Sequence, residues 1–146
     1  MADERKFREA SPAVQAHLGI IQAVIQRMAS NSTSCKAWAI TLVSAILVIV
    51  ADKGKPRHAM IAALPIILFF LLDSYYLSLE KRFRDSYNSF NDKLHEGKVI
   101  ASDLYAVTPH GLQSFAFVSA MGSFSVWPFY ATLGGMVWLA KEIVLS

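Results

Sequence analysis

The sequence predicts an all-α membrane protein: a long antiparallel helical hairpin that spans the bilayer, carries a cytoplasmic stalk, and is followed by a third apolar segment. Three observations carry that expectation. Hydrophobic residues make up 54% of the 146 positions and charged residues only 17%, against about 45–50% and about 25% in soluble domains. The apolar residues are clustered rather than spread, since Ala37–Ala51, Ala59–Leu72 and Phe115–Ala140 carry no charge. That clustering disfavours an unusually apolar soluble bundle. Finally, no Gly or Pro interrupts the chain between Gly19 and Gly54 or between Pro65 and Gly97, which leaves room for two very long helices.

Residues 1–11 read as a charged tail of balanced sign, and residues 12–96 as the hairpin. Ser11-Pro12 is a helix start, because serine can accept a hydrogen bond from the first-turn N–H groups and proline is preset for the first helical position. One helix from Pro12 to Ala51 would be about 40 residues and roughly 60 Å long, about twice the hydrocarbon thickness of a bilayer. Its first half carries a seam of Val14, Leu18, Ile21, Ile25 and Met28 at alternating spacings of four and three. Its second half, about residues 34–52, supplies the first span. Asp52–His58 is the turn, and about 59–79 the second span. The return arm carries Tyr76, Leu79, Phe83, Tyr87, Phe90 and Leu94 at helical spacing. With the turn centred between Gly54 and Lys55, positions equidistant from it face each other. Ile25 and Met28 then meet Phe83, Ile21 meets Tyr87, Leu18 meets Phe90, and Val14 meets Leu94. The same geometry sets Lys36 against Asp73. An acidic group at that depth is costly unless paired, so an interhelical Lys36–Asp73 ion pair is the first structural expectation.

Past Gly97 the character changes. Ser102-Asp103 and Thr108–Gly111 are turn and helix-start signals with a short helix between them, and Phe115–Phe124 reads as an interfacial segment. Residues 97–125 are therefore a cytoplasmic connector and interfacial stretch. Residues 126–146 form a third span or a re-entrant segment, broken by Pro128 and opened by aromatics at headgroup depth. Within it Ala131, Gly134 and Gly135 offer a small-residue surface for an oligomer contact.

Charge sets the orientation. Ten Lys and Arg residues flank the two spans on the side of the long arms (Arg5, Lys6, Arg8, Arg27, Lys36, Lys81, Arg82, Arg84, Lys93, Lys98), against three in the loop (Lys53, Lys55, Arg57). That bias puts both arms in the cytoplasm and the loop outside. The first 36 residues contain no compact apolar region beside a small-residue cleavage site, so the first span reads as a retained anchor. A net charge of +3 is too small to suggest nucleic acid.

Chemistry is sparse. His17, His58, His95 and His110 include no pair at the helical i, i+4 metal spacing. A single cysteine, Cys35, excludes an internal disulfide and reads as a small packing residue. There is no nucleophile elbow and no phosphate-cradling glycine loop, so no enzyme, cofactor or metal is expected. Asn31, Ser32, Thr33 and Ser34 read as interfacial hydrogen bonders, and Tyr75-Tyr76 as part of an aromatic belt. Arg82, Arg84 and Asp85, with Arg27 opposite, read as a charged collar facing solvent and headgroups.

The stretch from Ile21 to Met28 (IQAVIQRM), Asn31-Ser32, Lys36 to Trp38, Leu72 to Leu77 (LDSYYL), and Glu80 to Arg84 (EKRFR) with Tyr87 together resemble the SLATT-type class of small bacterial membrane proteins. That class includes accessory proteins of the RADAR anti-phage system. The resemblance covers about Val14–Leu94, and a third span departs from its two-helix plan. It implies a homo-oligomeric inner-membrane effector that perturbs the membrane when a soluble cytoplasmic defence complex acts on the stalk. The alternative is a non-conducting membrane anchor or assembly scaffold. A polar stripe along a span would favour the first, and only Thr41, Ser44 and Thr132 contribute to one.

Overall fold

The computed structural model describes residues 7–144; the first six residues of the tail and the last two of the third segment lie outside them. It is all-helical among the described residues. Helix α1 runs Pro12–Lys53 over 42 residues, roughly 63 Å of unbroken helix. It ends at Gly54, whose left-handed backbone (φ 60) lets its N–H close on the Ala51 carbonyl at 3.2 Å. A 3-10 segment, Pro56–Ala62, turns the chain, and α2 returns as Ala63–His95. Because α1 and α2 are antiparallel, Val14 near the start of one packs with Leu94 at the end of the other.

Two starting signals act differently from their sequence reading. Ser11 takes the extended N-cap backbone but makes no side-chain cap to α1; its hydroxyl accepts the Arg8 N–H instead, at 3.0 Å. Between Ala101 and Thr108 there is a single 3-10 turn, Ala101–Asp103, in place of a short helix. Asp103 caps that turn by accepting the Ile100 N–H at 3.1 Å, and the chain then leaves through Tyr105 at φ 64. A non-glycine residue in the left-handed region stops helical propagation.

The remainder packs back onto the hairpin. Residues 97–112 are not a free connector: Val99 and Leu104 are buried in one core with Val14, Phe90 and Leu94. Helix α3, Gln113–Met121, lies against α2, with Phe115 and Val118 exposed on its outer side. Helix α4, Trp127–Leu139, continues through a π turn, Ala140–Val144, and reaches the 3-10 segment at the hairpin's closed end. Pro128 lies in the first turn of α4, where its missing N–H costs nothing, and therefore opens the helix rather than breaking it. A second core joins Ala39, Val43 and Ala62 to Val126, Tyr130, Leu133 and Val137. Two apolar cores thus occupy the two ends of the molecule, and the polar groups collect between and beside them.

Candidate functional site: the Asp73 junction and the stalk strap

Asp73 is fully buried where α1, α2 and α4 meet. Its Oδ2 accepts from Lys36 Nζ at 2.5 Å, and its Oδ1 accepts from the Ser32 hydroxyl. Lys36 and Ser32 are one helical turn apart on α1, so both point at α2 together. Lys36 Nζ also lies 3.4 Å from the Ser32 hydroxyl. The third wall is Tyr130 of α4, whose buried hydroxyl lies close enough to feel the Asp73 carboxylate yet closes no hydrogen bond among the described residues. Cys35 is buried beside this cluster. A carboxylate taken out of water is held by one charge and one hydroxyl, with the Tyr130 hydroxyl nearby.

The sequence brings Lys36 and Asp73 to notice, but not the other members. Ser32 stands in a run of four polar residues, of which Thr33 and Ser34 merely bond back to Ala29 and Ser30 carbonyls at 3.1 and 3.0 Å. Its one distinguishing signal is the four-residue spacing from Lys36. Tyr130 gives no signal at all, because only the packing of α4 on the hairpin brings it there.

The stalk seam is revised. Val14, Phe90 and Leu94 share a buried cluster, with Leu18 at its edge, and Ile21 is buried. Ile25, Met28, Phe83 and Tyr87 are only half-buried, and Tyr87 receives a hydrogen bond from Gln22 at 3.2 Å rather than packing on Ile21 alone. The buried line on α2 extends beyond Phe90 and Leu94 to Ser74, Ser78 and Arg82. These positions repeat in multiples of four; Phe90 and Leu94 are buried with Val14 of α1 as well as Val99 and Leu104, and Arg82 under residues 109–111. Ser74 and Ser78, whose hydroxyls bond back to Phe70 and Tyr75 carbonyls at 2.7 Å, present a small surface on which another backbone can approach closely. By contrast Ala131 and Gly135 are exposed and Gly134 half-exposed, and a Cβ at either glycine would meet only open space.

Arg82 does not belong to a solvent-facing collar. It is buried, and its guanidinium donates to the carbonyls of His110 (3.0 Å), Gly111 (2.9 Å) and Pro109 (3.4 Å). Ser86 donates to Thr108 O at 2.6 Å. At the other end of the same segment, the Tyr105 N–H donates to His17 Nδ1 at 3.0 Å, and the His17 ring lies on Phe90 with centroids 4.3 Å apart. Residues 99–111 are thus a strap pinned to α1 through His17 and to α2 through Arg82 and Ser86. Burial pushes the His17 pKa below its ordinary value, against a smaller opposing pull from Asp103. Asp103 is held below the usual carboxylate range by the Ile100 N–H and by Lys93, 3.0 Å away. His17 escapes an apolar-only seam count, although it stands three residues after Val14 and four before Ile21.

Among the described residues no group of His, Cys, Asp and Glu is arranged to hold a metal. The fold and site define a helical-hairpin protein with a buried ionic junction and a strapped stalk. Comparison with known proteins adds no family: no family model, curated protein or solved structure matches this chain.

Proposed function

We propose that this chain is an oligomeric effector of the bacterial inner membrane, triggered from the cytoplasm during anti-phage defence, with α1 and α2 crossing the bilayer and residues 126–146 forming a third spanning or re-entrant segment. The observation that supports insertion is exposure. The most apolar stretches of the two long helices are only 22% and 17% buried, whereas a core helix of a soluble protein would hide most of such a stretch. Val48, Leu64, Ile67 and Leu68 are each more than half exposed, a surface that water would not tolerate and lipid would. In this reading Lys36 and Asp73 lie near the cytoplasmic interface, the stalk projects inward, and Ala131, Gly134 and Gly135 supply an outward contact between copies.

The mechanism follows from continuity. Because α1 passes from stalk to span without a break, a movement of the stalk is carried rigidly to the Asp73 junction. There the carboxylate can exchange partners between Lys36 and Tyr130 as the helices shift. A scaffold that recruits a soluble complex without conducting is the second reading, favoured by the apolar outer faces of both spans. Cells carrying the chain with its neighbouring genes and challenged with phage separate the two. The effector reading expects loss of membrane potential, abolished by Asn31→Pro, which removes a backbone hydrogen bond and kinks α1 at about 3 kcal/mol or more. Insertion should survive in that variant. Full potential in challenged wild-type cells, with a soluble partner still co-purifying, would replace the effector by the scaffold.

A further inference from the structure

Between the stalk and the strap lies a cavity of about 220 Å³, room for roughly seven waters at liquid density. It is bounded by His17, Ser89, Phe90, Lys93, Ser102 and Asp103, among others. Its polar inventory is lopsided. His17 is 99% buried, and its Nδ1 is occupied as an acceptor by the Tyr105 N–H. The neutral ring therefore carries its proton on Nε2, and that N–H has no partner among the described residues. The hydroxyls of Ser89 and Ser102 likewise make no hydrogen bond there. Lys93 spends one of its three donors on Asp103. The one carboxylate in the wall, Asp103, is already engaged on both oxygens, by Lys93 and by the Ile100 N–H. The space is thus faced by an ammonium with two donors to spare, an imidazole N–H, and serine hydroxyls that can turn to donate, against one carboxylate whose two oxygens each already accept a bond.

We infer that this cavity is a ligand site for a small, soluble oxyanion, a phosphate- or carboxylate-bearing metabolite, whose oxygens accept from His17 Nε2, Lys93, Ser89 and Ser102 while its body lies against Phe90. A lipid headgroup is the wrong source. Ser89 and Lys93 stand 16 and 20 residues beyond Asp73 on α2, roughly 24–30 Å further along the helix axis. Since Tyr105 and His17 tie the strap to α1 at this same point by one hydrogen bond, an occupied site would tighten the hold of the strap on α1. The site stands on the stalk alone, and the choice of a soluble source over a lipid headgroup rests on the proposed placement of Asp73 near the membrane interface.

The test uses the full chain in detergent, with the histidines labelled with nitrogen-15, titrated with inorganic phosphate and separately with glycerol 3-phosphate at constant ionic strength. Either probe should shift the His17 Nε2 resonance saturably and raise the unfolding midpoint, where chloride does neither. Ser89→Ala combined with Ser102→Ala keeps the buried ring in place and should weaken binding roughly tenfold, the loss of two hydrogen bonds at about 0.7 kcal/mol each. Lys93→Met should weaken it at least as much. No saturable response to either probe overturns the site, and so does a response that both variants leave unchanged, since the anion would then be bound elsewhere. Phosphatidylglycerol vesicles producing the shift while the soluble probes do not would overturn the soluble source.

Discussion

Removing Lys36 should damage this protein more than removing the acid it pairs with. Lys36→Met leaves the Asp73 carboxylate fully buried with only Ser32 donating to it. Breaking a buried pair from one side costs about 3–5 kcal/mol, because the surviving charge is uncompensated; the retained Ser32 bond puts the expected loss near the lower end, about 3 kcal/mol. Asp73→Asn is milder. It keeps the shape and a hydrogen-bonding group at the junction, and the orphaned Lys36 side chain is already 21% exposed, so its ammonium can extend toward water along its own methylenes. A loss of about 1–2 kcal/mol is expected there, because a partly exposed charge recovers much of its hydration. Removing both charges eliminates the uncompensated group, so the double variant should recover about 2 kcal/mol relative to the sum of the two, read as coupling in a double-mutant cycle. The assay is reversible unfolding in mixed detergent, followed by circular dichroism. Additivity within about 0.5 kcal/mol would mean that the 2.5 Å contact carries no energy and that Asp73 is satisfied in another way, while equal losses for the two single variants would refute the asymmetry argued from burial.

The strap should loosen in mild acid. His17 has a pKa lowered from 6.5 by burial. Its contribution is therefore full above about 6.5 and lost as pH falls toward the lowered value, where the ring must take a proton on the nitrogen that accepts from Tyr105. Asp103 opposes this loss, while Lys93 and His110, which line the same cavity, do not. The protection of the Tyr105 amide, its exchange rate referred to the intrinsic rate at each pH, should fall as the pH is lowered below 6.5 in the wild type and be low throughout in His17→Phe; pH-independent protection in the wild type would contradict the clasp. Orientation is checked by labelling from outside intact cells: a cysteine at exposed Lys55 should react and one at exposed Asn88 should not, and the reverse pattern would invert the topology drawn from the Lys and Arg count.

The two long helices were legible in the sequence because their causes are local. An uninterrupted stretch without Gly or Pro and uncharged runs of spanning length are properties of adjacent residues. Lys36 and Asp73 could be paired from the sequence since a rigid hairpin converts distance from the turn into depth. The limits are equally physical. Which residues of α2 are buried depends on what covers it, and nothing in the 3.6-residue period announces that α3 and residues 99–111 come to lie over Ser74, Ser78 and Arg82. An arginine counted by its charge reads as surface, yet three backbone carbonyls of the strap satisfy Arg82 inside. His17 entered the seam by donating no charge and accepting one backbone N–H, a role that exists only once residue 105 is folded against it. Tyr130 reached Asp73 only through the fold of α4 on the hairpin. Helix length, apolarity and register belong to the chain itself; the partners of its buried polar groups were chosen in three dimensions, where a group taken from water must be matched by whatever the fold brings within reach.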